Sequence, residues 1–138
     1  VQRFSDKIYI RELCYKTGMT NQDIANFLKE GGFDEIVSYY DSAEPKSGEE
    51  LRRQGIPCKP AIKGAGSINA GISMLKEYEI FVDKDSKNIY KEFISYYWQQ
   101  LKDGTIVNKP LDKNNHMMDS IRYAIYSHYG KRSEFFVI

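Results

Sequence analysis

Hydrophobic and polar positions change period several times along the chain. In residues 7–15 (KIYIRELCY), Ile8, Ile10 and Glu12 fall on one face and Tyr9, Arg11 and Leu13 on the other. This alternation of β-branched and aromatic residues predicts a strand. Val1 to Phe4 pairs with it across Ser5-Asp6 as the other arm of a hairpin. The period then lengthens. Thr20-Asn21-Gln22-Asp23 reads as a capping box with Asp in place of Glu, Ile24, Phe27 and Leu28 follow at helical spacing, and Gly31-Gly32 stops the helix. Ile36 to Tyr40 predicts a strand, and Ser47-Gly48-Glu49-Glu50 a second capping box opening a short helix that Gly55 ends. Ile56 to Ile62 is a weaker strand, interrupted by Pro57 and Pro60.

In the second half, Ser67 is placed to cap a helix carrying Ile68, Ile72 and Leu75. Glu79 to Val82 predicts a short strand. Ser86 then caps a helix running to about Gln100, with Ile89, Phe93, Tyr96 and Tyr97 as its apolar stripe. Lys102 to Lys113 is polar, holds Gly104 and Pro110, and reads as a loop. A last helix runs from near Asn115 to about Tyr129, with Met117, Ile121, Ala124, Ile125 and His128 on its buried stripe and Gly130 as its stop. Helix and strand in alternation predict an α/β domain with a mixed sheet, and sites in such sheets lie beyond the carboxyl ends of the strands.

A chain of 138 residues suits one domain with a sizeable core. The net charge of +1 argues against a strongly basic nucleic-acid binder on bulk charge, while leaving room for a local basic patch. Cys14 and Cys58 have no metal or redox spacing and read as reduced thiols of a cytosolic protein. No apolar run is long enough to span a bilayer, and no signal peptide is visible. The chain begins at Val1 and not Met, so a longer parent is expected.

Three constellations carry chemistry. In Tyr39-Tyr40-Asp41-Ser42-Ala43-Glu44-Pro45, Asp41 ends a predicted strand; it is either a turn former or a carboxylate at the mouth of a site. His116 and Asp119 share a face in the first turn of the last helix, continued by Tyr123. Carboxylate and imidazole together suit Mg²⁺ or Mn²⁺, although an acidic residue near a helix start also serves the dipole alone. Lys63-Gly64-Ala65-Gly66-Ser67 is a small basic loop entering a helix, either a phosphate-facing segment or a flexible connection with a capping serine. It is not a Walker A loop, because the lysine precedes the glycines. Lys59, Lys63, Arg52 and Arg53 form either a basic rim or solvated surface, and Tyr96-Tyr97-Trp98 either stack on bases or pack in the core.

The runs DSAEPKSGEELRRQG, KPAIKGAGSINAGISML, the aromatic segment ending YYWQ, and NNHMMDSIRYA occur in one order. Together they resemble the C-terminal nuclease domain of tailed-phage terminase large subunits, over nearly the whole chain. The resemblance implies an RNase H-like fold, a mixed sheet flanked by helices, with two Mg²⁺ or Mn²⁺ ions in the complete domain. It implies endonucleolytic cutting of concatemeric double-stranded phage DNA during packaging, in the bacterial host cytoplasm. The implied partners are DNA, an ATPase domain in the full-length protein, a small terminase subunit, a portal and, as an option, further copies of the chain; no membrane is implied. By motif match Asp41, His116 and Asp119 look like catalytic and metal-holding residues, and Lys63, Gly64, Gly66 and Ser67 like a DNA-proximal segment.

Two departures accompany the resemblance. Residues 1–138 form a single nuclease-type domain with no Walker A sequence, hence without the ATPase motor. The family's first metal aspartate belongs to a first, central strand, and nothing here matches it; Asp6 lies in a turn. The strands beside that gap are expected to keep unpaired edges, and the chain alone to bind metal weakly and cut little or not at all. The alternatives are a non-catalytic DNA- or partner-binding remnant of a terminase, and another RNase H-like nuclease such as a junction resolvase.

Overall fold

A computed structural model describes residues 1–95, 98–100, 104–110 and 115–130, with the backbone alone at 98–100 and 106–110. In chain order the elements are β1 (Gln2–Phe4), β2 (Lys7–Ile10), α1 (Asn21–Glu30), β3 (Ser38–Tyr40), α2 (Pro45–Arg53), β4 (Cys58–Pro60), α3 (Ser67–Lys76), β5 (Glu79–Val82), α4 (Lys87–Ser95), β6 (Trp98–Gln100), β7 (Ile106–Pro110) and α5 (His116–Tyr129). This is the α/β class expected. The chain divides into two compact units, one formed by Val1–Tyr15 with Gly64–Ile138 and the other by Lys16–Lys63.

In the first unit β2 is the middle strand of three, antiparallel to β1 and parallel to β5. The predicted hairpin is there, with Ser5 at φ 56 in its two-residue turn. Alternation along β2 sends Ile8 and Ile10 inward, where Leu75 of α3, Ile89 of α4 and Met118, Ile121 and Ile125 of α5 close around them. Tyr9 points to the opposite face and stacks on Phe81 with centroids 5.0 Å apart. Burying each large aliphatic side chain of this core is worth about 1.5–3 kcal/mol, so the cluster fixes the three helices against the sheet.

In the second unit β3 and β4 run parallel, from Ser38 opposite Cys58 to Tyr40 opposite Pro60. Ala25, Leu51, Ile56 and Cys58 form its core. α1 opens as read: the Thr20 side chain accepts from the Asp23 amide at 3.1 Å, and the Asp23 carboxylate accepts from the Thr20 amide at 2.8 Å. Among the described residues β1 pairs only with β2 and β3 only with β4. Each therefore keeps an unpaired edge among the described residues.

Several boundaries differ from expectation. Helix α2 begins at Pro45, before the predicted Ser47 cap, because proline's fixed φ and missing N–H suit the first helical position. Ser67 is the first residue of α3, and Gly66, at φ 79, takes the cap position. β3 starts only at Ser38, leaving Ile36 and Val37 exposed before it. Helix α4 spans Lys87–Ser95, Trp98–Gln100 is already strand, and the predicted loop holds β7, paired antiparallel with β6. Strand preference of the aromatic and β-branched residues there outweighs the helical spacing. On α5 the buried stripe is Met118, Ile121, Arg122 and Ile125, while His128 is exposed. Tyr96 and Tyr97, and the side chain of Trp98, on which the base-stacking reading falls, lie outside the described residues.

Candidate functional site

Asp41 follows β3 directly, at the carboxyl end of a parallel strand. Its backbone carbonyl accepts from the Glu44 amide at 2.9 Å, and its Oδ1 accepts from the Ala43 amide at 2.8 Å, so it does build the turn. The same Oδ1 accepts from Lys63 Nζ at 2.5 Å. The Lys63 ammonium, and after it the Ala43 amide, hold the Asp41 carboxyl below the usual carboxylate range. Both side chains remain partly exposed, so this pair is screened by water. Lys63 thus faces a carboxylate of its own unit.

His116 and Asp119 lie in the first turn of α5, as their spacing predicts; His116 is exposed and Asp119 half-buried. Asp119 Oδ1 accepts from the Arg122 guanidinium at 2.8 Å. Arg122 is itself only 4% exposed, and its Nε has no hydrogen-bond partner among the described residues. Gly71 on α3 makes room for it: a Cβ there would lie 2.5 Å from Arg122 Cγ. Sequence reasoning passed over Arg122, although its i+3 spacing from Asp119 was a readable signal.

Gly64, Gly66 and Ser67 lie at the start of α3, where the Ser67 amide donates to the Gly64 carbonyl at 3.1 Å. The three belong to the first unit and Lys63 to the second. The structure therefore brings together Asp41 with Lys63, His116 with Asp119, and the glycine loop with Ser67. Asp41 and Asp119 belong to different units. Neither cysteine is in a disulfide among the described residues, and burial pushes the Cys58 thiol up.

Carboxylates are the donor chemistry that Mg²⁺ or Mn²⁺ takes. In number the donors fall short: among the described residues no three or more His, Cys, Asp or Glu gather where a metal ion would fit. Asp41 and Asp119 are also each paired with a cation of the chain. The described residues do not by themselves make a finished metal centre.

Residues 4–127 match the terminase RNase H-like domain family. The chain belongs to that family. It is 32% identical over 104 residues to the terminase large subunit of Bacillus phage SPP1, covering 72% of this chain and 25% of the relative. It is 28% identical over 119 residues to the PBSX phage terminase large subunit of Bacillus subtilis (strain 168), covering 86% of this chain and 28% of the relative. The terminase domain thus spans about a quarter of the length of these relatives. Among solved structures it is similar to the nuclease domain of the SPP1 large terminase with bound Mn, with a TM-score of 0.79 and 28% identity. That match covers 88% of this chain and 70% of the other. The large terminase of the thermophilic bacteriophage D6E shares the fold, with a TM-score of 0.61 at 22% identity over 80% of this chain and 29% of the other.

Proposed function

We propose that this terminase domain is the endonuclease of a phage terminase large subunit, cutting concatemeric double-stranded DNA during genome packaging in the host bacterial cytoplasm. The likeness to the SPP1 large terminase nuclease domain carries this reading. The family match runs through the positions of Asp41, His116 and Asp119. Asp41 and Asp119, with His116, are the proposed metal-holding and catalytic residues. Lys63, Gly64, Gly66 and Ser67 are the proposed DNA-contacting segment. The proposed cofactor is Mg²⁺ or Mn²⁺, two ions in the complete domain, since the SPP1 neighbour carries Mn. An ATPase domain in the full-length protein, a small terminase subunit, a portal and further copies of the chain are the proposed partners.

A second reading is a DNA-contacting module without chemistry. The observation that favours it is the engagement of both carboxylates by cations of the chain. Plasmid cutting in Mn²⁺, alongside calorimetric metal titration, separates the two. The enzyme reading expects weak metal binding and slow cutting, both lost in Asp41→Asn and in Asp119→Asn. Cutting that survives both substitutions unchanged would remove these residues from the chemistry. DNA binding with neither metal uptake nor cutting would leave the module.

A further inference from the structure

The first turn of α5 carries two of the three proposed chemical groups, yet it does not cap itself. Asn115, at the cap position, makes no side-chain hydrogen bond to the open amides of the turn. A helix start leaves its first N–H groups without partners, and leaving such groups unpaired where they are buried is costly. Glu92 of α4 takes them up. Its Oε2 accepts from the Met117 amide at 2.7 Å and from the Met118 amide at 3.1 Å. Glu92 is 6% exposed, and its Oε1 has no hydrogen-bond partner among the described residues. A buried carboxylate spent, among the described residues, on two amides of another helix is a costly way to supply a cap that Ser or Asp at position 115 would give locally. What a local cap cannot do is tie the turn to a second element. The same device recurs one step back. Glu12, just after β2, accepts from the amides of Asn88 at 3.0 Å and Ile89 at 3.2 Å, capping α4 from outside. Two carboxylates in series thus link the end of β2 to α4, and α4 to the turn holding His116 and Asp119.

We propose that Glu92 is a positioning residue: by capping α5 from α4 it sets where His116 and Asp119 stand. The proposal rests on the catalytic reading of those two residues, so its test must also stand without cutting. Glu92→Ala removes the tie. Asn115→Asp in the same background returns a carboxylate cap to α5 without returning the tie. Glu92→Gln keeps an acceptor oxygen and should rescue most of the loss.

NMR of the 138-residue chain follows the Met117 and Met118 amides together with the His116 ring and Asp119 carboxyl signals. In Glu92→Ala all four should shift. In the double variant the amides should recover while His116 and Asp119 stay displaced. Where the chain cuts DNA, Glu92→Ala should lower kcat about 10- to 100-fold with KM less affected, because small displacements of reacting groups cost that much. Native His116 and Asp119 signals in folded Glu92→Ala, or in the double variant if the single does not fold, would overturn the proposal. A wild-type chain that never cuts leaves the NMR comparison to decide the positioning claim.

Discussion

Asp41 is both a turn former and a carboxylate held at the end of a strand. The turn uses its carbonyl and one oxygen, and Lys63 approaches that same oxygen. The pairing has a consequence in pH. A carboxyl whose folded-state pKa lies below its unfolded value of about 3.9 contributes stability above that value. The contribution fades as pH falls through the depressed folded value, where the group becomes protonated in both states. Lys63→Gln removes the largest cause of the depression. Wild type should therefore be the more stable of the two at neutral pH, by the small margin of a partly exposed pair, with the gap closing below about pH 4. Thermal melts of both proteins from pH 7 to pH 2.5 check this. A gap that widens toward acid would mean that Asp41 is not stabilised by Lys63. Any cation that needs Asp41 must also compete with Lys63, so the same substitution should tighten metal binding in calorimetry.

Among the elements, α2 and β3 are joined through one glycine. Gly48 is buried under the Tyr40 ring, and a Cβ there would lie 2.1 Å from Tyr40 Cζ. At an open helical position Gly→Ala is stabilising by about 1 kcal/mol. Here the sign should reverse, to a loss of about 1–3 kcal/mol, because the ring must leave its place against α2. Urea unfolding reads this as a lower midpoint at unchanged slope, and a raised midpoint would show that Tyr40 yields freely. The elements legible in advance share a local cause. The α1 capping box, the β1–β2 hairpin and the boundaries of α5 depend on residues within a few positions of one another. So does the common turn of His116 and Asp119. The Asp41 turn was legible for the same reason, but its pairing with Lys63, 22 residues on, was not. Likewise Glu92 lies 25 and 26 residues from the amides it caps and Glu12 lies 76 and 77 from its own, distances at which no local pattern marks a partner. The β6–β7 ladder escaped because helical spacing of aromatics and their preference for strands pointed opposite ways over the same residues.

For the whole molecule, charge sets the limits on DNA binding. With 20 Lys and Arg against 19 Asp and Glu, affinity for a phosphate backbone must come from local groups and not from the net field. Each phosphate neutralised contributes about −0.9 to the slope of log K against log salt on duplex DNA. A domain of this balance should show a shallow slope. If Lys63 is one of the contacting groups, Lys63→Gln should flatten the slope by about 1. Asp41→Asn removes a negative charge and leaves Lys63 unpaired, so it should leave duplex affinity unchanged or slightly raised while abolishing cutting. Binding isotherms between 50 and 300 mM salt on one duplex separate these effects. An Asp41→Asn protein that no longer binds DNA would assign Asp41 to folding or to the DNA interface. One that binds as before and no longer cuts would place Asp41 at the chemical step, where its position at the carboxyl end of a parallel strand leads one to look for it.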